Sequence, residues 1–393
     1  MFFGRDQELA ELREKLSNPR FESILIYGRR RIGKTALIRE AASSFSGTFL
    51  YYECKKSLFG DNLDGLNGLL QSRLGHSFSF SSFRDILYYV AEQSKSHPIL
   101  FVIDEFPYLM TEKQAVVSDV RDLFDEFRDR TCLKFILSGS SVDMMKLLIE
   151  KNSETYGRFT GIIELKTFDY FDSAKFYPGY TPEQKLLMYA ILGGVAFFCS
   201  LVDPDKSPIE NIRQLILRPD SILQLEIEHT IASETNKVPL LNSIIETIGA
   251  GVTKYSDINK RIRSQKGADA NVDYLLKKLI DLEIVEKKVP INEKGNRKKT
   301  FYVFNDNLMQ FYYQFVFPFK NMNSILSVED FFAEFVQEKL NARYLPQMFE
   351  KVTREYLIRA NRKHLISPMI YEIGTYSYDD PHQRINRQFD VVT

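Results

Sequence analysis

At residues 28–35 the chain reads Gly28-Arg29-Arg30-Arg31-Ile32-Gly33-Lys34-Thr35. This stretch matches the pattern G-x-x-x-x-G-K-[ST] of a phosphate-binding loop. The two glycines allow the backbone to curl tightly, so that successive N–H groups point at phosphate oxygens. An apolar run at 23–27 precedes the loop and an amphipathic stretch at 36–45 follows it. Because strand, loop and helix stand in the required order, the sequence predicts a nucleotide phosphate site.

The side chains of this loop have separate roles. Lys34 is long enough to reach the β- and γ-phosphates of a nucleotide, and the hydroxyl of Thr35 is a ligand for Mg²⁺. The helix expected to start at Lys34 adds the partial positive charge of its N-terminus. The loop residues predicted to contact the nucleotide are Gly28, Arg31, Ile32, Gly33, Lys34 and Thr35.

A pair of acids, Asp104 and Glu105, follows the apolar run at 99–103. A buried strand that ends in this way places Asp104 at the carboxyl edge of the sheet, where it can hold Mg²⁺ through water. Glu105 can then orient and activate the water that attacks the phosphate. The alternative is that both residues are solvated acids at an ordinary strand end.

A serine-rich segment, Ser138-Gly139-Ser140-Ser141, follows the apolar run at 133–137. A polar residue at the tip of a neighbouring strand can hydrogen-bond the γ-phosphate or the attacking water. Ser138 is the residue predicted to do so. The alternative is an ordinary transition from strand to loop.

The first 168 residues alternate apolar runs with amphipathic helical stretches. Continuous apolar runs are typical of strands that are buried on both faces of a parallel sheet. The five runs lie at 23–27, 48–52, 99–103, 133–137 and 162–165. The pattern predicts an α/β fold, in which a P-loop NTPase domain with a parallel sheet covers residues 1–168.

Composition limits the remaining possibilities. The chain has 52 basic and 52 acidic residues, so its net charge indicates no partner. Charges interrupt every apolar run before it could span a bilayer, and the N-terminus has no signal-peptide pattern. The three cysteines, Cys54, Cys132 and Cys199, lie far apart and form no CxxC pair. We therefore expect a cytoplasmic protein without a membrane segment, a structural zinc site or a disulfide framework.

Several segments together resemble the archaeal-type ATPases of the AAA-related STAND group. The matching segments are Phe3-Gly4-Arg5-Asp6-Gln7-Glu8-Leu9, the loop at 28–35, Phe101-Val102-Ile103-Asp104-Glu105-Phe106, Ile136-Leu137-Ser138-Gly139-Ser140 and Tyr156-Gly157-Arg158. The resemblance implies an AAA-like ATPase that uses ATP and Mg²⁺. It also implies that Gly4 and Arg5 line the adenine side of the pocket, that Ser138 is a sensor, and that Arg158 contacts the γ-phosphate. For Arg158, a plain surface arginine is an equal alternative.

The apolar strand runs stop near residue 170, and the following pattern is mostly helical. Residues 169–236 are predicted to form a helical lid. Residues 237–305 show three helical stretches and then two strand-like pieces around a polar loop, which is a winged-helix pattern. The family resemblance implies the same two domains.

The predicted winged helix is locally basic. Between Lys254 and Lys299 there are 13 basic and 7 acidic residues. Asp269–Leu282 would be the recognition helix and Lys294–Lys299 the wing, which suits contacts with the phosphates of duplex DNA. However, the helix itself carries Asp269, Asp273 and Asp281, which a DNA backbone would repel. Binding to DNA and a solvated or protein-facing surface both stay open.

Residues 306–393 resemble part of a restriction-endonuclease-like domain. Glu350 in a helix and Asp390 in a strand correspond to its first two acidic positions, and ordinary surface acids are the alternative. Such a core also needs a strand with Glu-x-Lys, because two carboxylates hold Mg²⁺ and the lysine helps the attacking water. That strand is missing from this sequence, so we expect no nuclease activity; a shortened chain and a naturally incomplete domain are both open explanations.

These features predict an ATP-hydrolysing molecular switch that is coupled to a DNA- or protein-interaction module. The alternative is an ATP-gated nuclease or defence effector whose nuclease-like domain is incomplete here. A nucleotide-binding scaffold that hydrolyses little is disfavoured, because Glu105 supplies a base. No motif in the sequence specifies an oligomeric state.

Overall fold

The structure is a computed structural model that describes residues 2–75, 77, 79–112, 115–234, 238–266, 271–380 and 385–393. The chain divides into two compact units, Met1–Thr167 and Phe168–Thr393. Every helix in these described ranges is too short or too polar to cross a membrane.

The first unit is built on a five-stranded sheet in which every pairing is parallel. Its strands are β1 (Glu22–Tyr27), β2 (Thr48–Glu53), β3 (Ile99–Asp104), β4 (Lys134–Gly139) and β5 (Gly161–Glu164). Their order across the sheet is β2-β3-β4-β1-β5. Each residue of β1, β3 and β4 is buried, as expected of apolar runs at the centre of a parallel sheet. The predicted α/β fold with a parallel P-loop sheet is thus confirmed.

Helices cover both faces of this sheet. They are α1 (Asp6–Ser17), α2 (Lys34–Ala42), α3 (Phe59–Leu74), α4 (Phe83–Gln93), α5 (Pro107–Glu112), α6 (Ala115–Phe127) and α7 (Val142–Leu147). One face packs against α1 and α2 through residues such as Leu12, Leu37 and Val102. The other face packs against α3, α4 and α6. Because β1 leads directly into the loop and α2, the loop lies at the carboxyl edge of the sheet.

The second unit begins with helices and turns. They are α8 (Tyr170–Ser173), α9 (Pro182–Leu192), α10 (Ala196–Ser200), α11 (Pro208–Ile212), a π-helical turn (Arg213–Leu217) and α12 (Ile222–Glu234). Thr181 caps α9 with a reciprocal capping box, and Pro182 occupies its first turn.

Three helices and a two-stranded antiparallel hairpin follow. They are α13 (Val238–Gly249), α14 (Tyr255–Lys266), α15 (Val272–Asp281), β6 (Val285–Lys288) and β7 (Phe301–Phe304). The order of these elements is the one expected of a winged helix, and that assignment stays a prediction. Asp269, the predicted start of the recognition helix, lies outside the described residues.

The remaining elements complete the second unit. They are α16 (Asn307–Phe311), helical turns at Tyr312–Val316 and Phe317–Phe319, α17 (Lys320–Asn323), α18 (Val328–Phe331), π-helical turns at Phe332–Gln337 and Leu340–Tyr344, α19 (Leu345–Arg362), β8 (Gly374–Asp380) and β9 (Ile385–Val392). Glu350 lies in α19 and Asp390 in β9, and β8 and β9 pair as an antiparallel hairpin.

Among the described residues of the second unit, the predicted lid, winged helix and C-terminal segment all contribute to one hydrophobic core. Tyr344 shows how closely they are joined. Its buried hydroxyl donates to the carbonyl of Ala190 in α9 at 2.9 Å and to that of Asn307 at 3.2 Å. Asn307 in turn donates to the carbonyl of Tyr189 at 2.7 Å. The predicted lid, winged helix and C-terminal segment thus share packing, and their boundaries at 236/237 and 305/306 stay predictions.

We predict that Tyr344→Ala destabilises the second unit by about 3–5 kcal/mol, because it opens a large cavity in this core and removes two hydrogen bonds. Chemical denaturation followed by circular dichroism measures the change. The control is Tyr371→Ala, since Tyr371 is 92% exposed and its removal should cost little. Equal stability losses in the two variants would contradict a core shared by these segments.

Candidate active site

The backbone of the loop at 28–35 has conformations that its glycines make possible. Gly33 has φ 99°, a backbone conformation that residues other than glycine rarely adopt. Gly28 is required for a different reason. A Cβ atom there would lie 2.3 Å from the carbonyl oxygen of Leu165, which directly follows β5. The first glycine of the motif therefore allows the end of β1 to pack against the neighbouring strand.

The ammonium group of Lys34 is held at the loop. Its Nζ donates to the carbonyl oxygens of Gly28 and Arg29, both at 2.9 Å. The side chain is largely buried, and burial lowers the pKa of Lys34 from its ordinary value. The carboxylates of Glu105 and Asp104 oppose this shift and Arg30 adds to it. A cation in this position is suited to phosphate oxygens, which would replace the loop carbonyls as its partners.

Thr35 and Asp104 are in direct contact. The hydroxyl of Thr35, in α2, donates to Oδ2 of Asp104 at the end of β3 at 2.8 Å. The strand before α2 is β1, and β4 lies between β1 and β3. Asp104 is only 3% exposed. A hydroxyl and a carboxylate beside a phosphate loop are the oxygen groups that Mg²⁺ prefers, so the residues present fit this ion. The predicted metal-binding pair thus lies together at the edge of the sheet.

Glu105 adopts a strained backbone conformation, with φ 51°. Its Oε2 accepts hydrogen bonds from the backbone N–H of Ser140 at 3.1 Å and from the hydroxyl of Ser140 at 2.7 Å. Its own N–H donates to Oδ1 of Asp104 at 3.0 Å. The carboxylate predicted to act as the base is therefore held in one orientation by the end of β4.

Ser138 lies in β4, opposite Ile26 of β1, and is completely buried. Its hydroxyl has no hydrogen-bond partner among the residues that the structure describes. A buried hydroxyl without a partner is costly. Because β4 runs between the loop strand and the strand of Asp104, this hydroxyl is suited to a phosphate oxygen or a water, as the sequence predicts.

Arg5 connects the N-terminal segment to the loop. Its guanidinium donates to the carbonyl of Ile32 at 3.3 Å and also to the carbonyl of Lys166. Gly4 and Arg5 have consecutive positive φ angles, 66° and 61°, so the chain turns sharply here. The structure brings Arg5 to the loop, and the contact of Gly4 and Arg5 with adenine stays a prediction.

Arg158 is not brought to the loop. Its carbonyl accepts a hydrogen bond from the hydroxyl of Ser23, near the start of β1, whereas the loop follows the end of β1. Its guanidinium forms a bidentate pair with Asp125, at 2.7 and 3.0 Å. Arg158 thus lies at the amino edge of the sheet, because it precedes β5, and we leave it out of the site proposed below.

Two site residues were not singled out by the sequence analysis. Ser140 holds Glu105, and Tyr51 in β2 donates to Oδ2 of Asp104 at 2.6 Å. Burial, followed by the hydrogen bond to Asp104, raises the pKa of Tyr51. Only the register of β2 on β3 reveals Tyr51, whereas Ser140 was visible as a polar residue at a predicted strand tip.

Comparisons with known proteins identify relatives of this chain. A family of ATPase domains predominantly from Archaea matches residues 2–195, and a family of archaeal and bacterial proteins of unknown function matches residues 312–393. An uncharacterised protein of Methanocaldococcus jannaschii is 30% identical over 382 residues, which cover 96% of this chain and 82% of the relative. The chain belongs to this archaeal ATPase family. It is a nucleotide-binding ATPase, while its place in the STAND group and in the cytoplasm stays a prediction.

Solved structures share the fold of this ATPase. The Walker-type ATPase of Pyrococcus abyssi has a TM-score of 0.58 at 18% identity, over 80% of this chain and 96% of that chain. The ORC2 protein of Aeropyrum pernix, solved as ADPNP–ADP complexes, has a TM-score of 0.54 at 17% identity, over 82% and 94%. At this level of identity the likeness extends to the fold alone.

We predict that Ser140→Ala lowers kcat about three- to tenfold and leaves nucleotide affinity unchanged. The variant removes one of the two hydrogen bonds that orient Glu105, and such a bond contributes about 1 kcal/mol. Steady-state ATP turnover and nucleotide titration measure the two quantities. A rise in kcat would instead show that Ser140 holds the carboxylate away from the attacking water.

Proposed function

We propose that this ATPase is a Mg²⁺-dependent switch that hydrolyses ATP and signals through the helix-and-hairpin module at 238–304. The observation that supports it best is the cluster of Thr35, Asp104 and Glu105 at the end of β3 and beside the loop. A metal ligand pair and a held carboxylate base are the groups that hydrolysis requires and that nucleotide binding alone does not.

Each residue of the cluster has a defined part in the proposed reaction. The loop N–H groups and Lys34 bind the phosphates. Thr35 and Asp104 would hold Mg²⁺, which supplies positive charge against the phosphate oxygens. Glu105 accepts a proton from the attacking water. The hydroxyl of Ser138 donates a hydrogen bond to the water or to a γ-phosphate oxygen. Adenine specificity is supported by the family of ATPases and by the ADPNP and ADP complexes of the ORC2 neighbour.

The basic hairpin has a partner within its own unit. Lys294 pairs with Glu372 at 2.5 Å, and Nζ of Lys299 donates to the hydroxyl of Ser377 at 3.1 Å. Asn292 and Ser377 exchange hydrogen bonds at 2.7 and 3.0 Å. The C-terminal segment thus covers part of the predicted wing, which weakens the case for DNA contacts by Lys294 and Lys299.

Other cations of the module are open to a ligand. Lys260 and Arg263 on α14 and Lys298 in the hairpin are exposed. Asp273 on α15, which would repel DNA, accepts a hydrogen bond from Tyr255 at 2.8 Å. We propose that these three cations contact the phosphates of duplex DNA. A protein partner is the alternative outcome of the tests below.

A nuclease activity has less support. Burial, followed by the charge of Asp390, raises the pKa of Glu350. Within the described part of the chain, however, no group of three or more His, Cys, Asp or Glu side chains is placed to hold a metal ion. The described residues thus provide no observation that favours hydrolysis of nucleic acid by this unit.

We predict that Glu105→Gln binds ATP with near-normal affinity and hydrolyses it at least about 100-fold more slowly, because the amide cannot accept the proton. ATP turnover and titration with a fluorescent ATP analogue measure these effects, with and without duplex DNA. Lys34→Ala is the control, since it should lose binding itself. Normal ATP turnover by the Glu105 variant would mean that another group is the base. If duplex DNA does not change the ATP turnover of the parent protein, a protein partner is favoured.

We predict that the triple variant Lys260→Gln, Arg263→Gln and Lys298→Gln weakens binding to duplex DNA about tenfold or more and flattens its salt dependence, because three phosphate contacts are lost. Fluorescence anisotropy at several salt concentrations measures both. The control Lys363→Gln removes an exposed lysine just after α19. Equal affinities of the triple variant and the control would contradict the proposed DNA surface.

A further inference from the structure

The side chain of Tyr51 joins the two residues proposed to hold Mg²⁺. Its hydroxyl donates to Oδ2 of Asp104 at 2.6 Å, and Thr35 donates to the same oxygen at 2.8 Å. Tyr51 lies opposite Val102 in the register of β2 on β3. It is on the face that α2 covers, as Thr35 is, so the three side chains meet at one point.

The ring of Tyr51 is held as well as its hydroxyl. The guanidinium carbon of Arg39 lies 4.6 Å from the centre of the ring, in a cation–π contact. Arg39 follows Thr35 by four residues in α2, so both face the same way. Phe49, two residues earlier in β2, packs at 6.1 Å between ring centres. Thr35 and Arg39, one turn apart in α2, thus contact Asp104 and the ring of Tyr51, respectively.

These contacts determine how the Asp104 carboxylate is oriented. Two hydroxyls donate to Oδ2, while Oδ1 accepts the N–H of Glu105. A carboxylate oxygen has two lone-pair positions, so those of Oδ2 are filled and one on Oδ1 is left for another donor. A water bound to a metal ion is a donor of this kind. Hydrogen bonds to a charged acceptor are also strong, and they stabilise the buried charge of Asp104.

We propose that Tyr51 is a positioning residue of the magnesium site: it fixes the rotation of the Asp104 carboxylate so that Oδ1 receives a metal-bound water. The inference rests on the proposed function, because it assigns Asp104 to Mg²⁺. Tyr51 touches neither nucleotide nor metal in this role. It acts through Asp104, and its hydroxyl also interacts with Thr35, the other proposed ligand.

The test compares Tyr51→Phe with the parent, with Asp104→Asn, and with the matched control Tyr52→Phe. Tyr52 is the next residue of β2, and its hydroxyl donates to Oδ1 of Asn62 at 3.1 Å, away from Asp104. Mn²⁺ is the probe, followed by electron paramagnetic resonance in the presence of ADP. Calorimetry measures ADP affinity without metal. The Mg²⁺ dependence of ATP turnover is a third readout.

Tyr51→Phe should keep the metal-free ADP affinity and weaken Mn²⁺ binding to the ADP complex about tenfold. Its kcat should fall at low Mg²⁺ and recover at high Mg²⁺, while Tyr52→Phe behaves as the parent. If Mn²⁺ binding is normal in Tyr51→Phe but impaired in Asp104→Asn, the proposed role of Tyr51 is overturned. Loss of metal-free ADP affinity in Tyr51→Phe would overturn it too, since the residue would then be structural. Normal Mn²⁺ binding in both variants would refute the proposed magnesium site itself.

Discussion

The organisation of the first unit depends on the burial of one negative charge, that of Asp104. A carboxylate that is 3% exposed is stable only if hydrogen-bond donors replace the water it has lost. The donors come from three places: Thr35 at the start of α2, Tyr51 in β2 and the backbone of Glu105. Helix α2 after the loop, the edge strand β2 and the inner strand β3 are thus joined through a single side chain. This arrangement sets the relative position of the phosphate loop and the catalytic acids.

The sequence predicts the parts of this site that are local in the chain. The loop at 28–35 and the acid pair at 104–105 are contiguous motifs, and strands buried on both faces have apolar runs that need no knowledge of their neighbours. Tyr51 carries no such signal, since its role depends on the pairing of β2 with β3 across 50 residues of chain. Arg158 was placed near the phosphates by resemblance alone, and the structure has it at the opposite edge of the sheet.

The second unit was harder to predict for a related reason. Three helical stretches followed by two strand-like pieces could be recognised within 237–305, and the structure has these elements in that order. The long-range contacts that join these elements could not. Asn307 and Tyr344 satisfy carbonyls of α9 more than 100 residues earlier in the chain, and no local pattern reveals such contacts. A change of secondary-structure pattern along a sequence is therefore weak evidence for a boundary between cores.

The position of Arg5 has a mechanical consequence. Its guanidinium bonds at once to Ile32 in the loop and to Lys166, one residue before the first unit ends at Thr167. The carbonyl of Leu165, which packs on Gly28, is adjacent. The last residues of the first unit are thus linked to the phosphate loop through the side chain of Arg5. Because one guanidinium binds both carbonyls, Ile32 and Lys166 cannot move apart without breaking a hydrogen bond of Arg5.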